Sequence, residues 1–300
     1  MRNKEEKQEE TTKEIQKESL SKGDKLTYNI LEFLSNFTGN LSRKLKSSTI
    51  ELNFLKYKML FGERDTDIYI STFPKSGTTL MQMMLYQMTS DGNMDFEHIY
   101  EKSPWIKNDA FIGFKPRYLP DPRLIKTHDN YEKFDPDTKG RFIYVLRDGM
   151  DVAVSLYHQD RDFKNPNLTF ERHMELFLSK SKFNWFDHTR DWLQNKYGFN
   201  ILYLKYEEII NDLEGIILKV SDFTNIHVDQ SIIERTKERC SFDYMKQFED
   251  KFGLLSVETP FRKQNFFRKG KSGDSKNYFT PEHIEAFNKR YRESGLNKFL

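Results

Sequence analysis

The residues best suited to chemistry lie in the run 72–79, which reads Thr-Phe-Pro-Lys-Ser-Gly-Thr-Thr. It follows the apolar run 68–70 and precedes a helical pattern, so it is predicted to join a strand to a helix. Such a junction directs backbone N–H groups and the positive end of a helix dipole at one point. Gly77 would let an anion approach the backbone, and Lys75 adds a positive charge. The run is therefore a candidate anion site, although a polar turn capped by Thr78 would have the same composition. Its hydroxyl donors are Ser76, Thr78 and Thr79.

A second candidate anion site lies near the C-terminus, in the segment 261–276. It contains one acid, Asp274, and six basic residues: Arg262, Lys263, Arg268, Lys269, Lys271 and Lys276. A basic, glycine-bearing segment is often only a solvated loop. Arginine, however, is planar and always charged, which suits two-point recognition of a phosphate.

His128 is the candidate general base. It follows the predicted strand 124–127, and open α/β sheets bind ligands at the carboxyl ends of their strands. An imidazole that titrates near neutrality can accept the proton of an attacking hydroxyl or amine. The alternative is a structural hydrogen bond, which is the commoner role of a histidine at the end of a strand.

The run 72–79 differs from a Walker A loop, in which Gly-Lys-Ser/Thr follows a glycine and four residues. Here Lys75 precedes Gly77, and the order Pro-Lys-Ser-Gly-Thr-Thr resembles the first signature of the cytosolic sulfotransferases. The segment 268–277, Arg-Lys-Gly-Lys-Ser-Gly-Asp-Ser-Lys-Asn, resembles their second signature, Arg-Lys-Gly-x-x-Gly-Asp-x-Lys-Asn. Shorter blocks lie between them in the family's order, at 126–128, 147–158, 185–188, 206–208 and 241–245.

The resemblance implies an enzyme that moves a sulfuryl group from 3′-phosphoadenosine 5′-phosphosulfate (PAPS) to a hydroxyl or amine and releases PAP. His128 would be the base for in-line attack. Lys75 and Lys126 would neutralise the leaving oxygen, and they could replace the magnesium of kinases, so no metal is expected. The 5′ end of the donor would lie on the loop at residues 74–79. The 3′-phosphate would lie on Arg147, Ser155, Arg268, Lys269 and Gly270. The adenosine contacts would be Tyr206, Cys240, Phe242, Met245, Phe266 and Phe267.

The sequence departs from the family pattern at three positions. Many members have an aromatic residue where this chain has Leu80, and a tryptophan where it has Ser275. Since base–aromatic stacking is worth about 1–3 kcal/mol, we expect weaker donor binding or compensation by Phe242, Phe266 or Phe267. In the family's dimer segment the valine position is Pro281, which lacks an N–H for pairing, so a homodimer formed there is in doubt.

Short apolar runs alternate with helical patterns along the chain. Strands are predicted at 68–72, 124–127, 142–146 and 201–204, and helices near 26–45, 79–88, 149–158, 169–197 and 207–222. This alternation predicts an α/β fold with a central parallel sheet flanked by helices, similar to P-loop proteins. The charged segment 1–25 is expected to be a flexible tail, followed by one domain at 26–300.

The composition sets outer limits on function. The chain has 300 residues, a formal net charge of +2 and one cysteine, Cys240. These values argue against a polyanion partner and a disulfide framework, and no apolar run is long enough to span a bilayer. A cytoplasmic location is expected.

Two other functions stay open: an ATP-dependent kinase with a degenerate phosphate loop, and a nucleotide-binding protein without activity. The acceptor is not specified, although aromatic side chains such as Trp105 and Phe111 would suit a phenol or sterol.

Overall fold

The computed structural model describes residues 60–112, 118–253 and 266–300, together with residues 26, 29, 30, 49, 52–55, 57 and 58. The predicted tail and most of the predicted helix at 26–45 lie outside the described residues. The chain divides into two compact units, Met1–Lys56 and Tyr57–Leu300, and every element named below belongs to the second unit. The predicted domain boundary at residue 26 and the predicted doubt about a homodimer stay predictions.

The second unit is built on four parallel strands. They are β1 (Ile68–Thr72), β2 (Leu124–Thr127), β3 (Arg141–Leu146) and β4 (Ile201–Lys205), in the order β2-β1-β3-β4. The register aligns Ser71 of β1 with Thr127 of β2 and with Tyr144 of β3. The carboxyl ends of the three strands therefore meet at one edge, where the loop after β1 and His128 emerge together.

Side chains cover both faces of the sheet. Alternate side chains of a strand point to opposite faces, and in β1 both sets are buried. Ile68 and Ile70 are fully buried in a core cluster with methionines of the first helix. Tyr69, between them, stacks on Phe142 with ring centroids 4.8 Å apart. This two-sided burial explains why the runs 68–70 and 142–146 are apolar at consecutive positions.

The helices are α1 (Thr78–Thr89), α2 (Ile106–Ile112), α3 (Gly149–Phe163), α4 (Phe170–Phe177), α5 (Trp185–Gln194), α6 (Tyr206–Asn211), α7 (Leu213–Thr224), α8 (Gln230–Arg239), α9 (Phe242–Gln247) and α10 (Pro281–Glu293). Short 3-10 turns occur at Ile99–Glu101, Tyr131–Lys133, Glu249–Lys251, Asp274–Asn277 and Leu296–Lys298. The predicted α/β architecture with a parallel sheet is confirmed.

Two predicted helical stretches are each divided by a capping side chain. The stretch 169–197 is α4 and α5, because Asn184 accepts a hydrogen bond from Asp187 N–H (2.9 Å) and starts a new helix. The stretch 207–222 is α6 and α7, where Asp212 caps the second helix through Gly215 N–H (2.9 Å). Pro281 is the first residue of α10, a position where its missing N–H costs nothing.

Candidate active site

The loop between β1 and α1 is shaped to hold an anion. Lys75 and Gly77 both have positive φ angles, 68° and 97°, which curl the backbone before α1 begins at Thr78. The Thr72 and Thr78 hydroxyls are 2.6 Å apart and fix the ends of the curl. Gly77 has no side chain to cap the helix, so the first N–H groups of α1 stay available to an outside acceptor.

Gly77 is required here by a close neighbour as well as by its φ angle. A Cβ at this position would lie 2.7 Å from Cδ2 of Tyr206. The guanidinium of Arg147 stacks on the same tyrosine ring at 4.6 Å and donates a hydrogen bond to the Lys75 carbonyl at 2.7 Å. Tyr206 and Arg147 thus hold the loop from the side of β3 and β4.

A cavity of about 370 Å³ opens in front of this loop. It brings together most of the residues that the sequence predicted for the site. Those that line it are Lys75, Gly77, Thr78, Thr79, Leu80, Lys126, His128, Arg147, Ser155, Tyr206, Phe266, Phe267, Arg268, Lys269 and Gly270. Trp105 also lines it, whereas Phe111 does not.

Four predicted contacts do not line the cavity. Cys240 and Met245 are 5% and 3% exposed and belong to the core cluster behind α1. Phe242 packs beneath Gly270, where a Cβ would come within 2.2 Å of its ring, so it supports the basic loop from below. Ser76 is buried, with no hydrogen-bond partner for its hydroxyl among the described residues.

Two lysines, Lys75 and Lys126, line the cavity. In the part of the chain that the structure describes, no carboxylate lies within ion-pair distance of Lys75 or Lys126. Burial, with Arg147 and Arg268 nearby, lowers the pKa of Lys75 to about 8. Burial and the charge of Lys75 lower the pKa of Lys126 to about 7. The unmet positive charge is available to a bound anion, and an anion would in turn raise both pKa values.

His128 has a defined tautomer. Its Nδ1 lies 2.8 Å from the Thr72 carbonyl oxygen, which can only accept, so Nδ1 carries the proton. Nε2 is then the unprotonated nitrogen. Burial and the neighbouring Lys126 lower the pKa of His128 well below 6.5. The edge-to-face contact with Trp105, 5.1 Å between centroids, fixes the ring plane. His128 is thus a neutral, oriented hydrogen-bond acceptor at neutral pH.

The basic loop, residues 266–275, is held by carboxylates that the sequence reasoning missed. Asp151 on α3 is 3% exposed and accepts from Gly273 N–H (2.6 Å) and Ser275 N–H (2.9 Å). Glu207 on α6 accepts from the Ser272 hydroxyl at 2.8 Å. Asp151 lies within the block 147–158, but no role could be assigned to it from the sequence, because its partner Ser275 is 124 positions away.

Asp274 positions two cationic side chains of the same loop, Lys269 and Arg268. It accepts from Lys269 Nζ (2.6 Å) and Asn277 Nδ2 (2.9 Å), and it pairs with Arg268. Burial would raise the pKa of Asp274, but these three hydrogen-bonded partners outweigh it and hold the pKa far below its ordinary value. The carboxylate therefore stays charged and keeps both cations at the cavity wall.

Within residues 60–112, 118–253 and 266–300, no three His, Cys, Asp or Glu side chains converge into a group that could hold a metal ion. Among the described helices, none is long and apolar enough to cross a membrane. The predicted cytoplasmic location stays a prediction.

The fold and the cavity define an α/β enzyme. Its site places lysine and arginine side chains around a helix N-terminus and an oriented imidazole. The family model for the sulfotransferase domain matches residues 65–298, and the chain therefore belongs to the sulfotransferase family. The family and enzyme class predicted from the sequence, a PAPS-dependent sulfotransferase, are confirmed.

Several named relatives and structures resemble the chain. Amine sulfotransferase of Oryctolagus cuniculus is 31% identical over 286 residues, covering 88% of this chain and 91% of the relative. Sulfotransferase 1B1 of Mus musculus is 34% identical over 244 residues, covering 76% and 82%. Mouse sulfotransferase SULT7A1, solved in complex with PAP, superposes with a TM-score of 0.61 at 27% identity, covering 79% of this chain and 87% of that one. Retinol dehydratase, solved with androsterone and PAP, shares the fold at 22% identity, with a TM-score of 0.62 and coverage of 80% and 84%.

Proposed function

We propose that this protein transfers the sulfuryl group of PAPS to a hydroxyl or amine of a small-molecule acceptor, with His128 as general base. The observation that carries the proposal is the meeting, in one cavity, of an imidazole with an unprotonated Nε2 and two lysines that form no ion pair with a carboxylate of the described residues. A base and unmet positive charge are the two requirements of an in-line transfer to an anionic leaving group.

The residues present fit the donor's two anionic ends. Residues 75–79 and the uncapped N-terminus of α1 form a cradle that packs against the Tyr206 ring at Gly77, and this cradle suits the 5′ end. Arg147, Ser155 and the basic loop, with Arg268, Lys269 and Gly270, suit the 3′-phosphate. Phe266 and Phe267 are the aromatic residues beside the adenosine end.

The donor supplies an activated sulfuryl group and a leaving phosphate; the chain supplies alignment, charge and a base. Lys75 and Lys126 stabilise the negative charge that develops on the leaving oxygen. His128 accepts the proton of the attacking hydroxyl or amine at Nε2 while its Nδ1–H stays bonded to Thr72. Because the two lysines supply the positive charge, we propose that no metal is needed.

The acceptor is proposed to be a small molecule with an aromatic or sterol-like body. Trp105 packs edge-on against His128 and lines the cavity, so an apolar group beside it would present its hydroxyl or amine to Nε2. Names among the relatives agree with this range, since one acts on amines and one structure contains androsterone.

The direct test is an incubation with ³⁵S-labelled PAPS and a panel of phenols, sterols, aliphatic alcohols, amines and sugars, with and without a chelator. We expect labelled product from at least one class, unchanged by the chelator. Loss of activity on chelation, or phosphate transfer from ATP, would instead favour the kinase. Tight PAP binding with no product from any class would favour a nucleotide-binding protein without activity.

Replacing Asp151 by asparagine is expected to weaken PAP binding about tenfold, because a charge-assisted contact that holds the basic loop is lost. Calorimetry with PAP measures the change. Asp229→Asn, which alters an exposed helix cap on α8, is the matched control and should leave PAP affinity unchanged. Equal PAP affinity in Asp151→Asn and wild type would contradict the holding role of Asp151.

Replacing Leu80 by tryptophan is expected to tighten PAP binding about tenfold, since Leu80 lines the cavity and one stacked ring is worth about 1–3 kcal/mol. The calorimetric PAP titration used for Asp151→Asn also measures this change. An unchanged dissociation constant would mean that Phe266 and Phe267 already supply the stacking surface.

A further inference from the structure

We propose that Tyr100 is a positioning residue for Lys126: its neutral hydroxyl accepts a hydrogen bond from the ammonium group and holds it, charged and aimed, in the cavity. This inference rests on the proposed function, because it assigns a support to one of the two lysines that would carry transfer. No sequence signal marked Tyr100, which lies in a 3-10 turn outside the recognised blocks.

The contact is short and buried. Lys126 Nζ lies 2.7 Å from the Tyr100 hydroxyl, and the two residues are 6% and 2% exposed. The hydroxyl in turn donates to the Gly253 carbonyl at 3.4 Å. Since the single phenol proton is directed at Gly253, the lone pairs of the oxygen face Lys126, and the ammonium must be the donor.

The turn that carries Tyr100 is fixed to the strand that carries Lys126. Lys126 N–H donates to the Pro104 carbonyl at 2.9 Å, and the next residue, Trp105, forms a parallel bridge with Lys126. The Trp105 ring also lies 4.6 Å from Lys126 Nζ. Tyr100 N–H donates to His98 Nδ1 at 3.2 Å, which anchors the other end of the turn. The backbone is therefore anchored on both sides of Tyr100, and this fixes the position of the Tyr100 hydroxyl.

Lys126 needs such an acceptor because its surroundings oppose its charge. Burial and Lys75 lower its pKa to about 7, and Asp109 acts in the opposite direction. Another titratable neighbour is His128, whose own pKa is lowered by burial, so it is neutral and adds no charge. Tyr100 has a raised pKa from burial and stays protonated, so it accepts as a neutral phenol at every working pH. A hydrogen bond to the charged form favours that form.

The test is Tyr100→Phe, which removes one oxygen and keeps the ring. We expect kcat to fall about 10- to 100-fold at neutral pH with little change in the KM for PAPS, as for loss of a hydrogen bond to a charged group. The alkaline limb of kcat/KM, where Lys126 loses its proton, should move about one pH unit lower. A residue that only stabilised the fold would not move this limb.

Tyr86→Phe is the matched control. Tyr86 is also a buried tyrosine whose hydroxyl bonds a backbone carbonyl, that of Asn93 at 2.8 Å, but it does not line the cavity. It should keep the wild-type kcat and pH profile. Equal kcat and an unmoved alkaline limb in Tyr100→Phe would overturn the proposal.

A second readout separates this inference from the proposed function. The rate of reductive methylation of Lys126 by formaldehyde and cyanoborohydride, followed across pH by peptide mass spectrometry, reports its pKa without turnover. We expect the midpoint to be lower in Tyr100→Phe than in wild type. If no acceptor is sulfated by the wild-type protein, the proposed function fails, while a lower midpoint still supports the contact and an unchanged one still refutes it.

Discussion

Replacing His128 by alanine is expected to lower kcat for sulfuryl transfer by roughly 10²- to 10⁴-fold, the usual contribution of a general base. The reason is local. Nε2 is the one imidazole nitrogen left unprotonated by the Thr72 contact, and the ring lines the same cavity as Lys75 and Lys126. PAP affinity should stay near the wild-type value, because His128 is assigned to the acceptor's proton. Radiolabelled turnover and PAP calorimetry on one preparation measure both.

His227→Ala is the control, since His227 is exposed and far along the chain on the loop before α8. Wild-type kcat in His128→Ala would refute the base assignment. The pH profile gives a second check: because the pKa of His128 lies well below 6.5, protonation of this base should lower kcat/KM only at pH values well below 6.5. An acid limb centred at the ordinary histidine pKa would contradict it.

Replacing Gly77 by alanine is expected to weaken PAP binding about 100-fold or more and to remove most of the activity. Its φ of 97° is unfavourable for any residue with a Cβ, and that Cβ would lie 2.7 Å from the Tyr206 ring. The loop would have to shift, and a displacement near 1 Å at a site of this kind costs about 10²-fold. Calorimetry with PAP measures the loss directly.

Gly198→Ala separates backbone strain from the clash. Gly198 also has a positive φ, 70°, but a Cβ there meets nothing within 4 Å. It should lose stability by about 1 kcal/mol while keeping PAP affinity. The two variants should therefore differ in nucleotide binding even where their melting temperatures are similar. Equal loss of PAP affinity in both would show that general destabilisation, and not the cradle, explains the result.

The strands were predictable because each is a short apolar run bounded by polar residues. The predicted runs 68–72, 124–127, 142–146 and 201–204 agree with β1 to β4 to within one residue at each end.

The helix ends at Phe177 and Asn211 were missed because apolar periodicity continues past them. A cap at Asn184 or Asp212 can be recognised only when its N–H partner is known. Helices α2 and α8 to α10 were not predicted, although α8 to α10 start at the capping residues Asp229, Ser241 and Thr280.

The candidate site divides in the same way. The loop residues 75–79 and the segment 268–270 could be named from the chain alone, since an anion cradle is built from consecutive residues and its glycines are local requirements. Cys240, Phe242 and Met245 could not be judged from the chain, because whether a side chain just after α8 or on α9 faces the cavity or the core depends on how those helices pack. Cys240 and Met245 face the core, and Phe242 packs against Gly270.

The chemical groups of this protein, and the order in which they follow the strands, can be identified from the amino-acid sequence because the signature loops are contiguous. The protonation and orientation of those groups depend on contacts that form only in the folded protein. The tautomer of His128 depends on the carbonyl of Thr72, which is 56 positions away in the chain. The basic loop depends on Asp151, which is 124 positions from its partner Ser275. The ammonium group of Lys126 depends on the phenol of Tyr100, which lies 26 positions before it. Such contacts leave no local pattern, because burial and hydrogen-bond partners arise only when distant segments pack together.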